Sequence, residues 1–360
     1  MANYRDKVVL LPPNRVWRSY TGGALLDQIS GASTPADNHF PEDWIGSLTR
    51  AISPGREEIA EGISTAIVDE QSCDFGTLLA SDPDYFLGAD HVAKHGPSPM
   101  LLIKFLDPAI RLHFQCHPSQ EFARRVLNSP SGKTEAYHIL RTRPEESAPF
   151  IYVGFQRPPD PADLKRWIET QDIAAIEACF DKIPVKRGDT FLIPGGVPHA
   201  LGPGVFMVEI QEPTDFVARY EFQRGGYELP EAARFMGRDV DFGVSLIDFM
   251  PRPLSAIETH SRCGPRDRQE RGPASWQETL IGPDQTPCFR VGRTCFADPI
   301  TKAEDSFYIG IVTAGSLELH VGDQSLQLNT YDKFFCPAGL ESLELRPHGN
   351  AEILECYPPL

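Results

Sequence analysis

Leu112-His113-Phe114-Gln115-Cys116-His117-Pro118 alternates apolar and polar residues with a period of two. That period marks a β-strand, and it predicts His113, Gln115 and His117 on one face with Leu112, Phe114 and Cys116 on the other. Pro118 lacks a backbone donor and ends the strand. Two imidazoles and an amide are costly to bury together unless something satisfies them. A lone histidine would read as an ordinary satisfied side chain; three stacked polar groups ask for a shared partner.

Two other segments supply matching groups. Gly132-Lys-Thr-Glu135 runs into the apolar Tyr137-His-Ile-Leu140, so Glu135 stands at a strand entry, facing the same way as Lys133. Val185-Lys-Arg-Gly-Asp-Thr-Phe-Leu-Ile-Pro-Gly-Gly-Val-Pro-His199 reads as turn, strand, tight turn and strand, and delivers His199. Two imidazoles, the Glu135 carboxylate and the Gln115 amide oxygen make a mixed nitrogen and oxygen set suited to one zinc ion, with an open position for water or substrate. A single carboxylate leaves such a centre at about +1, which suits a Lewis acid.

The remaining chain has the texture of a mainly β protein. Its 33 prolines and 29 glycines punctuate short apolar runs. Helical spacing is confined to 75–80 with 81–87, and above all to Asp163–Phe180, with Asp160 or Asp163 as its cap. Asn329-Thr-Tyr-Asp-Lys-Phe-Phe-Cys-Pro-Ala-Gly339 echoes the phrase at 185–199, but Leu340, Glu341 and Ser342 stand where the first copy reaches His199. The echo predicts one jelly-roll barrel built twice. Residues 1–245 would form a catalytic barrel with a helical insertion, and residues 246–360 a degenerate copy without metal ligands. The join is expected between Gly225 and Gln277, with an exposed connection over 252–272.

Charge and apolar content narrow the partners. A formal charge of −16 disfavours nucleic acid and anionic lipid, yet leaves room for a locally basic site that takes a phosphorylated substrate. No run approaches the ~18–20 apolar residues that span a bilayer, and the opening residues lack the apolar run of a secretory signal. The eight cysteines are scattered without a Cys-x-x-Cys pair, as expected of buried thiols in a reducing cytoplasm. A monomer or homodimer is expected.

In order, Gln-x-His-Pro (115–118), Gly-Lys-Thr-Glu (132–135) and Gly-Asp-Thr-Phe-x-Ile-Pro-x-Gly-x-x-His (188–199) resemble the type I mannose-6-phosphate isomerases of the cupin superfamily. The likeness covers most of residues 5–225 and takes in Arg15-Val-Trp17, Glu42-Asp-Trp44, Leu102-Ile-Lys-Phe-Leu106, and Val208-Glu-Ile-Gln-Glu-Pro-Thr-Asp215 followed by Arg219. The short interval between Glu135 and His199 is similar to that of the short bacterial form.

The resemblance implies two cupin domains and one zinc ion per chain, held by Gln115, His117, Glu135 and His199. It implies an aldose–ketose isomerase that interconverts mannose 6-phosphate and fructose 6-phosphate through an enediol. By the same likeness Lys104, Lys133, Glu209 and Arg219 line the active site. Either Glu209 or Lys133 would move the proton, while Arg219 steadies enediolate charge and Lys104 orients the sugar. Trp17 and Asp215 fall at the substrate. His113 stands where the family usually carries a small residue, so it enters the substrate pocket and bears on which group beyond the sugar is accepted.

Three other readings stay open on the residues alone. One keeps the chemistry but uses a different or unphosphorylated sugar. A second is an iron-dependent cupin dioxygenase, against which a fourth protein ligand, Gln115, argues. The third binds sugar without turnover; Lys133, Glu209 and Arg219 argue against it.

Overall fold

The computed structural model describes residues 4–53, 55–56 and 58–360. Period-two alternation in the sequence becomes two antiparallel β-sandwiches. In the first, a seven-stranded sheet contains Glu42–Ile45, Leu102–Leu106, Glu135–Thr142 and Val205–Gln211, and a five-stranded sheet contains Gln115–Cys116, Phe150–Val153 and His199–Leu201. Tyr137, Ile139 and Met207 from the one meet Ile151, Val153 and Leu201 from the other in a shared apolar core. The second sandwich closes a nine-stranded sheet on a four-stranded one through Tyr308, Ile353, Leu319 and Leu345. This two-sheet jelly-roll architecture is that of a cupin.

Alternate residues of the two large sheets point the other way. Ile103, Phe105, Val208 and Ile210 pack against a cluster that includes Ile309, Ile311, Phe335 and Leu354. Each such side chain stabilises the fold by ~1.5–3 kcal/mol through lost apolar surface, so this seam binds the sandwiches firmly. Each half also lends a strand to the other. Val9–Leu10 pairs with Phe335 and Phe334, and Arg262–Cys263 pairs with Phe191 and Thr190.

The parity that sends Ile103, Phe105, Val208 and Ile210 to the seam turns Lys104, Glu135 and Glu209 into the first sandwich. Glu209 lies opposite both Lys104 and Tyr137, and Gln211 lies opposite Glu135. A third layer fixes the other wall. The helical region 160–180 forms two helices, Pro161–Thr170 and Ile173–Glu177, because Gln171 adopts φ 54° and breaks the run. The Asp160 side chain caps the first at Ala162 N (2.8 Å), and Asp172 caps the second at Ala175 N (3.1 Å). Leu164, Ile168 and Ile176 then pack on Phe114, Cys116 and Ala200.

With Phe114 and Cys116 held outward, His113, Gln115 and His117 face the interior. Only Gln115–Cys116 is strand, and Leu112 joins the inner core instead of sharing the face of Phe114 and Cys116. No ladder fixes parity that far from the pair.

The expected open connection over 252–272 is more structured than its composition suggests. Leu254–Ala256 is helical, and Arg266–Gly272 is an exposed edge strand of the nine-stranded sheet. Its run of Arg266, Asp267, Arg268, Glu270 and Arg271 guards that edge against further pairing. Leu340, at the position echoing His199, packs into the core of the second sandwich. All eight cysteines are unpaired, and six of them are buried. Among the described residues no helix is long and apolar enough to cross a membrane.

Candidate metal centre and active site

Gln115 organises the centre through register. Across one side of its short strand it faces His199, and across the other it faces Arg219. Glu135 enters from the seven-stranded sheet, opposite Ile193. His117 follows Gln115 by two residues and so shares its face.

Both imidazoles give their Nδ1 hydrogens to backbone carbonyls, His117 to Phe216 (2.8 Å) and His199 to Val197 (2.9 Å). That tautomer leaves each Nε2 as a lone pair aimed at Glu135. His117 Nε2 lies 3.2 Å from Oε2, and His199 Nε2 lies 3.0 Å from Oε1. Acceptors converge like this only around positive charge. Lys133 Nζ supplies some of it, 2.8 Å from His117 Nε2 and 2.7 Å from Glu135 Oε2. The ligand atoms of His117, Glu135 and His199 lie within 4.8 Å of one another, and all three residues are buried. This set can hold a metal ion. The Gln115 amide adjoins it, with Nε2 3.2 Å from His199 Nε2, and a half-turn of the amide puts Oε1 there instead.

Electrostatics agree with the geometry. Burial, reinforced by Lys133, pushes the His117 imidazole down to about 3 and keeps it neutral. Burial alone would raise the Glu135 carboxyl, but Lys133 holds it well below the usual range. The Tyr137 hydroxyl also donates to Glu135 Oε1.

Beside the cluster lies a cavity of about 40 Å³ whose walls include Lys104, His113, Lys133, Glu209, Asp215 and Arg219. Lys104 Nζ contacts Glu209 Oε2 at 2.7 Å. Burial raises the Glu209 carboxyl above its ordinary value, against the pull of Lys104. The His113 imidazole does enter the pocket, held by Ser19 Oγ (3.2 Å) and the Glu221 carbonyl (2.8 Å); burial and then Arg219 push it down to about 3. Asp215 faces Arg18 through two contacts of 3.2 Å and accepts from Ile52 N at 2.8 Å. Arg219 donates to the Ala233 carbonyl at 2.9 Å and, among the described residues, makes no ion pair. Burial pushes its guanidinium down to about 10.

Trp17 takes a different place. It is absent from the cavity lining and stacks on His39 at 5.3 Å, edge-on to Tyr227 at 5.4 Å. Its neighbour Arg18 turns inward, so one residue of offset decides which of the two meets the cavity. Arg18 and Tyr20 line the cavity without having been singled out from sequence, and Glu42, noted there only within the Glu42-Asp-Trp44 motif, lines it too. Glu42 accepts from Arg18 (2.9 Å), Tyr20 (2.7 Å) and Trp44 (2.7 Å). Burial would raise it, but Arg18 and Lys104 bring it to about 2. The available signal was Glu42-Asp-Trp44-Ile45, where alternation puts Glu42 and Trp44 on the face opposite Ile45.

The crystal structure of the mannose 6-phosphate isomerase from Bacillus subtilis superposes with a TM-score of 0.73 at 22% identity, covering 97% of this chain and 99% of that one. The chain has the phosphomannose isomerase fold. A phosphomannose isomerase variant from Salmonella typhimurium gives 0.71 at 15% identity over 98% of this chain and all of that one. In sequence, the mannose-6-phosphate isomerase of Streptococcus mutans is 34% identical over 142 residues, 39% of this chain and 42% of that protein. A probable mannose-6-phosphate isomerase of Bacillus subtilis is 31% identical over 125 residues, 34% of this chain and 38% of its own length. These matches thus span about two fifths of the curated relatives. No protein-family model matches the chain.

Proposed function

We propose that this chain is a metal-dependent aldose–ketose isomerase that interconverts mannose 6-phosphate and fructose 6-phosphate. One observation carries the reading: Arg219, which makes no ion pair among the described residues, shares a cavity with a metal-competent His₂–Glu cluster. A protein with formal charge −16 that sets Arg219, Lys104 and Lys133 on the wall beside such a cluster offers local positive charge to an anionic substrate. The names of the relatives support the same reaction.

In this reading Gln115, His117, Glu135 and His199 hold one divalent cation, zinc being the ion that suits two imidazoles, a carboxylate and an amide oxygen. When bound, it would supply Lewis acidity toward the sugar carbonyl and neighbouring hydroxyl. Glu209 is our candidate to carry the proton between C1 and C2, because burial raises its carboxyl toward the working range of a general base. Lys133, already engaged with His117 and Glu135, keeps local positive charge. Lys104 holds Glu209 in place, and Arg219 meets negative charge on the substrate. His113 limits what lies beyond the sugar, and Asp215 anchors Arg18 at the wall. Residues 1–245 carry this chemistry. We place the protein in the cytoplasm, in keeping with eight unpaired thiols.

Metal analysis followed by proton-exchange NMR with mannose 6-phosphate in deuterated water tests the proposal. Deuterium should appear at C1 of fructose 6-phosphate. Exchange with free mannose alone would shift the reading to an unphosphorylated sugar, and no exchange with either sugar would end it.

A further inference from the structure

We infer a second binding site, in the C-terminal sandwich, that takes an uncharged sugar or polyol. It touches no residue of the centre described above and stands independently of the proposed isomerase.

The site follows from strand parity. In Ala351–Tyr357, residues Ala351, Ile353 and Tyr357 belong to the inner core, so Glu355 also faces inward. Gly292 lies opposite Glu355 on one side and Thr279 on the other; Thr294 likewise links Ile353 to Gln277. The row Thr279–Gly292–Glu355 and the Gln277–Thr294 pair beside Ile353 therefore place polar groups where a sandwich would ordinarily be apolar. Glu355 is fully buried and accepts from Lys302 Nζ (2.6 Å) and Thr294 Oγ1 (2.7 Å), and Lys302 also lies 3.0 Å from Glu304. Buried ion pairs seldom stabilise a fold beyond what apolar packing would give. Their presence here needs another reason.

Against these rows lies a cavity of about 440 Å³, within the ~300–1,000 Å³ range of small-molecule sites. Its walls include Gln277, Thr279, Arg290, Glu304 and Tyr357, with Gly292 among them. A Cβ at Gly292 would lie 3.1 Å from Glu355 Oε2, so the missing side chain keeps that part of the wall open.

Hydrogen-bonding capacity remains on this wall. Gln277 Oε1 accepts from Arg271 at 2.6 Å, but its Nε2 reaches Glu304 and Glu355 only at 3.3 and 3.4 Å. Arg290, stacked 4.9 Å from the Tyr357 ring, donates to Pro358 O at 3.3 Å and to Ser306 Oγ at 3.5 Å. Such long contacts are weak and readily exchanged for better ones. Donors and acceptors share this wall with the Tyr357 ring, and its two cations, Arg271 and Arg290, are matched by the acids Asp267, Glu278 and Glu304. Hydroxyl groups both donate and accept, so a neutral polyhydroxyl ligand fits. A phosphate would meet the carboxylates of Asp267, Glu278 and Glu304 on the wall.

Saturation-transfer NMR with neutral hexoses and disaccharides tests this on the full chain. The His117→Ala/His199→Ala double variant removes the N-terminal centre, and it should retain transfer from a neutral sugar. Adding Gln277→Ala, or filling the cavity with Thr279→Tyr, should weaken binding by about tenfold or more, the loss of one to two good hydrogen bonds. Melting curves of both added variants should match their parent. The inference is overturned if neutral sugars give no transfer in the double variant. Transfer only from hexose phosphates overturns it equally, as does transfer that survives both added variants.

Discussion

Arg219 is a guanidinium that donates to a backbone carbonyl, and burial pushes its pKa down to about 10. If it serves the anionic substrate, Arg219→Ala should lower kcat/KM by ~10²–10³, the usual cost of removing a charge-stabilising donor. Arg219→Lys should recover part of this, since it keeps the charge but not the planar fork. Steady-state kinetics on mannose 6-phosphate with both variants checks the order. His138 offers a second residue-level test, away from the cavity. It is buried, contacts Thr190 Oγ1 at 2.9 Å, and burial lowers it to about 4. The unfolded chain binds a proton near pH 6.5 that folded His138 refuses. Its contribution is thus fully present above pH 6.5 and is lost as pH falls toward 4, by about 3 kcal/mol at most. Urea unfolding from pH 7 to 4 should show a shallower acid limb for His138→Gln than for the parent.

At the level of elements, the site depends on turns that bring backbones unusually close. A Cβ at Gly195 or at Gly132 would lie 2.5 Å from the Pro118 carbonyl oxygen. Gly195 belongs to the turn that delivers His199, Gly132 to the one that delivers Glu135, and Pro118 follows His117 directly. Gly195→Ala should therefore cost about 1–3 kcal/mol of overpacking and loosen metal retention. Gly188→Ala is the contrast: at φ 87° with nothing within 4 Å, it strains the backbone but leaves the centre alone. Denaturation curves with metal content after dialysis would separate the two. These turns were legible from Pro-Gly-Gly-Val-Pro and Gly-Lys-Thr-Glu, because turn residues report on their own backbone. The break at Gln171 was less so: nothing in local apolar spacing announces a left-handed residue within a helical pattern.

Across the whole molecule, the halves share a seam with a buried ion pair at its edge. Lys333 of the nine-stranded sheet pairs with Asp43, whose other oxygen accepts from Asn14 N at 2.7 Å. Asp43 sits between Glu42, on the cavity wall, and Trp44, which donates to Glu42. Lys333→Met would leave a buried carboxylate unpaired and should cost about 3–5 kcal/mol, with Asp43→Asn in the same chain restoring much of it. Chemical denaturation of the two single variants and the double closes that cycle. Sequence reading separated the halves at 245/246 and could not anticipate that Val9–Leu10 and Arg262–Cys263 each pair with strands far along the chain. Exchanged strands leave no mark in local periodicity.

The sequence by itself determined which side chains can meet as a cluster. Alternation aims His113, Gln115 and His117 one way, and short turns give Glu135 and His199 fixed positions in their strands, because parity and turn chemistry act over a few residues. Tertiary structure alone decided that Arg18 faces the cavity while Trp17 does not, that Glu42 meets Arg18 and Tyr20 there, and that Arg219 makes no ion pair among the described residues. Those outcomes depend on the register of strands up to two hundred residues apart (about the reach from Arg18 to Asp215), and register is set by the packing of the finished core.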